Sequence, residues 1–475
     1  MVESLSLLER LRALRNRLTQ GPQPNTQRAE HASPRQRLLL LENQVAQLRL
    51  EHSRLNDKHE ALETDQTVHY TVPAPNGRLA WRLRRLLLNG RGCIDQLKQL
   101  AQFFDHTQYQ PDSRGPVEYF QQTYALAEYY LRMVEPIPNN LDEQNRLADG
   151  LRTALQELEV RIRALQQFAQ RKQKWNQCID TLAHSFQLLL NGRMFQLRSL
   201  QPLLHELLLL HEDHMPLVWL APDKTRADRW AATVALNTTA VAIRLARQDA
   251  EWKHRLEDVA LAAIVHDAGM AAMPLQLIQK QERYNEEDRR LLETHVGLAA
   301  DALKTCVPTE GWLHDAIRSH HEHCDGTGYP MGLMGPKIPR LARLLAVSDM
   351  YAALSTRRPH RPSYSSRAAL TETLLEAERG LLDMDIAGML EKLTPYPIGS
   401  LVELSDGSIG RVVRHAHSSE LSHRPLVLIK LTPEMQPCAG SILLDLENNP
   451  NQHIVRSLSV DEGQQLLGHF DLEGW

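Results

Sequence analysis

Apolar residues recur at helical spacing from the start of the chain. Leu5, Leu8, Leu11 and Leu14 predict a helix near 1–19, and Gln20 to Ser33, with Gly21, Pro22 and Pro24, reads as a flexible linker, so 1–35 form helix and linker. A heptad pattern occupies 36–64. Leu38, Val45, His52 and His59 take one core position, and Leu41, Leu48, Leu55 and Leu62 the other. An unbroken leucine series with a β-branched alternate predicts a two-stranded coiled coil, weakened where the two histidines would repel if protonated. A single amphipathic helix in a bundle is the other reading of so few heptads.

From 65 to 215 the pattern stays helical and poor in β-branched residues, predicting a regulatory or dimerisation bundle, with Leu151 to Phe168 at near-heptad spacing. Leu86-Leu87-Leu88-Asn89-Gly90-Arg91 recurs as Leu188-Leu189-Leu190-Asn191-Gly192-Arg193, which fits two helix stops better than a duplication. Helical patterning continues over 216–393 and then changes at Thr394-Pro395-Tyr396-Pro397. Leu401 to Leu404, the turn Asp406-Gly407 and Ile409 to Val413 predict a β-hairpin. With Leu426 to Leu431 as a further strand, 394–475 are expected to form a small β-rich module. The fold class is mainly α.

Composition narrows the function classes. The 475 residues carry a formal charge of -4 with 24% charged residues, so no global positive excess points to nucleic acid. Five cysteines, with no CxxC pair, suggest neither a disulfide framework nor a thiolate zinc site. No apolar run reaches the roughly 20 residues that span a bilayer. Leu203 to Leu210 is interrupted by His205 and Glu206, and Met1-Val2-Glu3-Ser4 has no basic n-region. A cytoplasmic protein is expected.

Candidate chemistry lies within 216–393. Val259, Ala263 and His266 share a helical face, so His266-Asp267 ends an apolar helix. A buried carboxylate there needs a partner, and a metal ion would satisfy it and the imidazole together. His295 extends the apolar face of another helix, with Leu298 and Ala299. His320 and His321 follow Ile317 on a third, and lead directly into Glu322-His323-Cys324-Asp325-Gly326-Thr327-Gly328-Tyr329-Pro330. Asp349, after Leu344-Leu345-Ala346-Val347-Ser348, repeats the pattern of an apolar helix ending in an acid. Nitrogen and carboxylate ligands from several helices are what a two-metal hydrolytic centre requires.

This ordered set resembles the HD-GYP family of bacterial metal-dependent phosphodiesterases, a branch of the HD phosphohydrolases. The resemblance covers roughly 220–393 and rests on His266-Asp267-Ala268-Gly269, His295, His320-His321-Glu322 with Gly328-Tyr329-Pro330, and Asp349 with Tyr351. It implies an all-α HD-type domain that hydrolyses cyclic di-GMP to pGpG or GMP at two divalent ions, iron or manganese. It further implies that Asp267 bridges the metals and is catalytic. One ion would take His295, His320 and His321, and the other His266 and Asp349. Arg358 and Arg361 would grip substrate phosphates, and Gly328, Tyr329 and Pro330 would shape the nucleotide-facing loop.

Two departures from the family pattern bear on activity. A metal histidine of the family aligns with Asn237, in Asn237-Thr238-Thr239-Ala240-Val241-Ala242, and a lysine near the scissile phosphate aligns with Met270. These predict one weak metal site. They set a phosphodiesterase against a cyclic di-GMP receptor or scaffold with little turnover. The expected partners are a cyclic dinucleotide and, through the coiled coil, a second copy of the chain.

Overall fold

The computed structural model describes residues 77–107, 114–133, 140–192, 197–211, 217, 219–223, 225–307, 310–358, 361–392, 396–417 and 421–467. The proposed coiled coil over 36–64, and homodimerisation through it, lie outside the described residues. Two compact units divide the chain between Lys172 and Gln173.

The first unit contains α1 (Gly77–Thr107), α2 (Arg114–Met133) and the first part of α3 (Leu141–Leu190). Ile94, Leu97, Phe120, Leu151, Leu158 and Leu165 are almost fully buried there. Phe104 stacks on Phe120 at 4.9 Å between ring centroids. The repeated Leu-Leu-Leu-Asn-Gly-Arg segment performs two different tasks. In its second copy α3 ends at Leu190, with Gly192 at φ +62°. At 86–91, by contrast, α1 runs straight through Asn89-Gly90, which corrects the expected helix stop. The reason is close packing: a Cβ at Gly90 would overlap the ring of Tyr130, whose hydroxyl donates to the Leu86 carbonyl oxygen at 2.6 Å.

In the second unit, α4 (Gln201–Leu210) precedes α5 (Ala227–Gln248). Nearly every side chain of α5 from Trp230 to Ala246 is buried, as expected for a helix enclosed on all sides. Around it lie α6 (Leu256–Val265), a 3-10 turn (Ala268–Ala272), the short α7 (Leu275–Ile278), α8 (Glu286–Cys306) and α9 (Gly311–Arg318). They are followed by α10 (Arg340–Ser355), α11 (Ser366–Glu378) and α12 (Met384–Lys392). α6 and α10 both pack on α5. α8 begins with a capping box between Asn285 and Asp288, which satisfies two otherwise unpaired donors.

Residues 396–467 hold a five-stranded antiparallel sheet ordered β4-β3-β2-β1-β5, from β1 (Leu401–Leu404), β2 (Ile409–Arg414), β3 (Leu426–Leu431), β4 (Pro437–Asp445) and β5 (Ile454–Ser457). The hairpin read from Asp406-Gly407 is present: Gly407 has φ +85°, and Asp406 accepts from the Ser408 amide and hydroxyl. Val402, Leu404, Val412 and Val427 bury one face of the sheet. A final helix, α13 (Val460–Leu467), packs near the other, where Leu467 joins Ile409, Leu431 and Leu458. No helix among the described residues is long and apolar enough to cross a membrane.

Candidate metal centre

His266 closes α6 and Asp267 opens the 3-10 turn beneath it. His295 lies within α8. His320 and His321 occupy the turn that follows α9, not the helix itself, because the Ser319 amide closes α9 on Asp315 and Ala316. That turn removes the roughly 100° offset between helical neighbours and lets both rings face one place, 4.2 Å apart between centroids. Asp349 sits in the interior of α10 rather than at its end.

Three of the imidazoles are fixed in the same way. Nδ1–H of His266 donates to the Ala263 carbonyl oxygen at 2.7 Å, that of His295 to Leu292 at 2.5 Å, and that of His320 to Ile317 at 2.6 Å. Each bond leaves Nε2 as a lone pair aimed inward, the orientation a metal-ligating histidine needs. The three Nε2 atoms and Asp267 Oδ1 are buried and lack hydrogen-bond partners. They lie close together all the same. Asp267 Oδ1 is 3.1 Å from His295 Nε2 and 3.6 Å from His320 Nε2, and Asp267 Oδ2 is 3.7 Å from His266 Nε2. Asp349 Oδ1 is 3.8 Å from the same His266 atom.

Convergent acceptor atoms repel unless a cation lies between them, either a proton or a metal ion that displaces it. Two ligands at about 2.1 Å from one ion, set near a right angle, stand roughly 3 Å apart, so these spacings suit a metal. The donors form two groups, Asp267 with His295, His320 and His321, and His266 with Asp267 and Asp349. Asp267 belongs to both.

Electrostatics follow from this arrangement. Burial opposes charge on His266, yet Asp267 and Asp349 raise its pKa to about 9. Burial, reinforced by the His320 and His295 imidazoles, holds His321 well below the ordinary histidine range. Burial also lowers His320, against the pull of Asp267. Asp267 stays well below the usual carboxylate range despite its burial, because His266, His295 and His320 surround it.

The positions expected to be weak are both buried. The Asn237 amide is committed elsewhere, accepting from the Leu220 amide and donating to the Leu220 carbonyl oxygen, each at 2.9 Å. Its neighbour Thr238 is the α5 residue that reaches the centre, donating to Asp349 Oδ1 at 3.1 Å. The sequence offered no sign of that contact, since a threonine on a buried helix is unremarkable. Met270 packs into the apolar core. His254, on the segment before α6, is exposed.

The loop after His321 is held by Glu322. This buried carboxylate accepts from the Met331 amide at 2.6 Å and the Leu333 amide at 2.8 Å. Gly328 allows the loop to turn back on itself, because a Cβ there would overlap the His323 amide and the His321 carbonyl. Tyr329 consequently stacks on His321, 4.9 Å between centroids, with Pro330 following on the same loop. Glu322→Gln should place an amide N–H against a backbone N–H, costing about 1.5–3 kcal/mol of loop order. The expected result is a fall of roughly 10-fold or more in kcat/KM with metal content unchanged, read by steady-state kinetics beside metal analysis.

The two arginines are placed differently. The Arg358 guanidinium lies over the Trp230 ring at 5.0 Å, and its charge helps hold Asp349 in the ionised form. Arg361 donates to the carbonyl oxygens of Ala353, Leu354 and Pro362 and lies over Tyr364. Those first two carbonyls are at the end of α10, so Arg361 caps that helix.

A helical domain built around a two-part His/Asp centre is the arrangement of HD-type metal-dependent phosphohydrolases, and residues 217–386 match the HD domain family model. Within that match, the His-His-Glu to Gly-Tyr-Pro segment is the feature that resembles the HD-GYP branch. A cyclic di-GMP phosphodiesterase of Pseudomonas aeruginosa is 29% identical over 199 residues, 42% of this chain and 48% of the relative. A 3'3'-cGAMP-specific phosphodiesterase of Vibrio cholerae is 32% identical over 139 residues, 29% of each chain. This chain therefore spans less than half the length of these curated relatives. Among solved structures, an HDG"Y"P protein from Bdellovibrio bacteriovorus is 17% identical with a TM-score of 0.31, covering 58% of this chain and 79% of that one.

Proposed function

We propose that this protein is a metal-dependent phosphodiesterase that opens a cyclic dinucleotide, cyclic di-GMP in the first instance, to pGpG or GMP. The observation that carries this reading is that Asp267 belongs to both groups of donors, of which His266, His295, His320 and Asp267 each keep a buried atom without a hydrogen-bond partner. Two divalent ions held there, iron or manganese by analogy with the family, would supply Lewis acidity and positive charge for a phosphodiester. Nitrogen and oxygen donors of this kind are compatible with both metals.

The chain's own residues supply the rest. His295, His320 and His321 would hold one ion, His266 and Asp349 the other, with Asp267 between them. Thr238 steadies the Asp349 carboxylate. Arg358, fixed on the Trp230 face, carries the positive charge that meets a substrate phosphate, and Arg361 supports it by securing the end of α10. Tyr329, stacked on His321, presents an aromatic edge for a nucleobase, with Gly328 and Pro330 shaping its loop. The five free cysteines fit a reducing cytoplasm. Homodimerisation through 36–64 remains part of this reading.

Incubation of anaerobically purified protein, loaded with Fe(II) or Mn(II), with cyclic di-GMP or 3'3'-cGAMP tests it. Linear product that disappears in His320→Ala is the expected outcome. Retention of cyclic di-GMP without product, at full metal content, would make the domain a receptor instead.

A further inference from the structure

The segment between α10 and α11 carries Arg358, and the C-terminal module grips that segment. Within the segment, the Arg358 amide donates to the Arg361 carbonyl oxygen at 3.0 Å, with the reciprocal bond at 3.3 Å. Tyr364 is tied back to Leu354 at 2.9 Å. These local bonds tie Arg358 to Arg361 and Tyr364 to the end of α10, while the Trp230 ring lies against the Arg358 head group. A third support comes from outside the HD domain. Asp461, in the first turn of α13, accepts from the Ser363 amide at 2.9 Å and from the Ser363 hydroxyl at 3.1 Å. The Asp461 amide faces the same hydroxyl at 3.4 Å, and the second Asp461 oxygen stands 3.7 Å from the exposed Arg357 guanidinium.

Asp461 thus joins both sides of the hairpin, at the residue before Arg358 and at the second residue after Arg361. A loop tied at both flanks has fewer conformations to lose when its arginine engages a ligand. The contact is one of several that seat the sheet here. Arg367 donates to the Tyr396 hydroxyl at 2.8 Å, its amide faces Ser457 Oγ at 3.4 Å, and Ser366 and Ser400 hydroxyls are 3.3 Å apart.

We infer that Asp461 is a positioning residue for phosphate recognition, acting through Ser363 and Arg357 to hold Arg358 in register with the metal centre. The C-terminal module is then a splint for the arginine loop. This rests on the proposed phosphodiesterase reading for its consequence, but the splint itself can be read without substrate.

Two measurements on the full, metal-loaded chain separate these points. By hydrogen exchange, Asp461→Ala should raise exchange at the amides of Arg358, Arg361 and Ser363 about 10-fold while α8 stays protected. By kinetics, the same variant should raise KM for cyclic di-GMP roughly 10-fold, with kcat within about twofold and metal content unchanged. Combined with Arg358→Ala it should add nothing further, because the two act through one contact. If Asp461→Ala disturbs the module's own melting, Ser363→Ala with Arg357→Gln removes the side-chain ties from the HD side with α13 intact, leaves the 2.9 Å amide bond, and should shift exchange and KM in the same direction by a smaller factor. Unchanged exchange over the hairpin overturns the inference whatever the activity. A KM increase that persists undiminished in the Arg358→Ala background also overturns it. Failure of the wild-type protein to act on or bind any cyclic dinucleotide would refute the function and leave the exchange result to judge the splint.

Discussion

Replacing Asp267 with asparagine should abolish turnover, by about 10³-fold or more, and strip both ions from the protein. Loss of a residue that merely orients a metal ligand costs roughly 10–100-fold. Asp267 does more, since its two oxygens face His295 and His320 on one side and His266 on the other. An amide keeps the shape but offers one weaker oxygen, and its N–H group would donate to an inward lone pair and so compete with a cation for it. The charge balance changes as well. Asp267 is the foremost influence raising His266 against burial, so that imidazole should titrate lower in the variant. Metal analysis, activity and a melting curve on the same sample distinguish this outcome from misfolding. Near-normal metal content would show that the two donor groups do not depend on a shared carboxylate.

Gly269→Ala should damage the same centre from the backbone. A Cβ on Gly269 would stand 2.7 Å from the carbonyl carbon of His295 and 2.9 Å from its Cα, closer than real Cβ atoms approach. Both partners are backbone, so no side chain can rotate away, and either the 3-10 turn or α8 must move. Overpacking of this kind costs about 1–3 kcal/mol, occasionally more. Here the displacement falls on the peptide that carries a candidate ligand. The expected result is a melting temperature lowered by several degrees, with metal content reduced more than stability alone explains. Unchanged metal binding would show that the turn and α8 can separate without disturbing His295.

Much of this site was legible in the chain. The order of His266-Asp267, His295, His320-His321 and Asp349 marks residues whose chemistry is costly to bury singly, and the structure brings all six together. The β-hairpin was legible for a related reason, since Asp406-Gly407 encodes its turn locally. What escaped depends on distant partners. Thr238 meets Asp349 only because α5 and α10 pack face to face, and Asn237 is claimed by Leu220 rather than by the centre. Helical periodicity could not show that α9 stops before His320. Nor could it show that Gly90 lies within a helix, because the decisive contact is with Tyr130 on another element. Arg358 and Arg361 look equivalent in sequence, yet one lies on Trp230 while the other caps α10.

The proposed sharing of Asp267 between two metal ions is tested most directly by Mn(II) loading under anaerobic conditions, with metal counted per chain and the electron paramagnetic resonance spectrum recorded. Two ions per chain with an exchange-coupled spectrum, both lost in Asp267→Asn, is the predicted result. A single ion per chain, or two with the spectrum of isolated Mn(II), would contradict a centre bridged by Asp267.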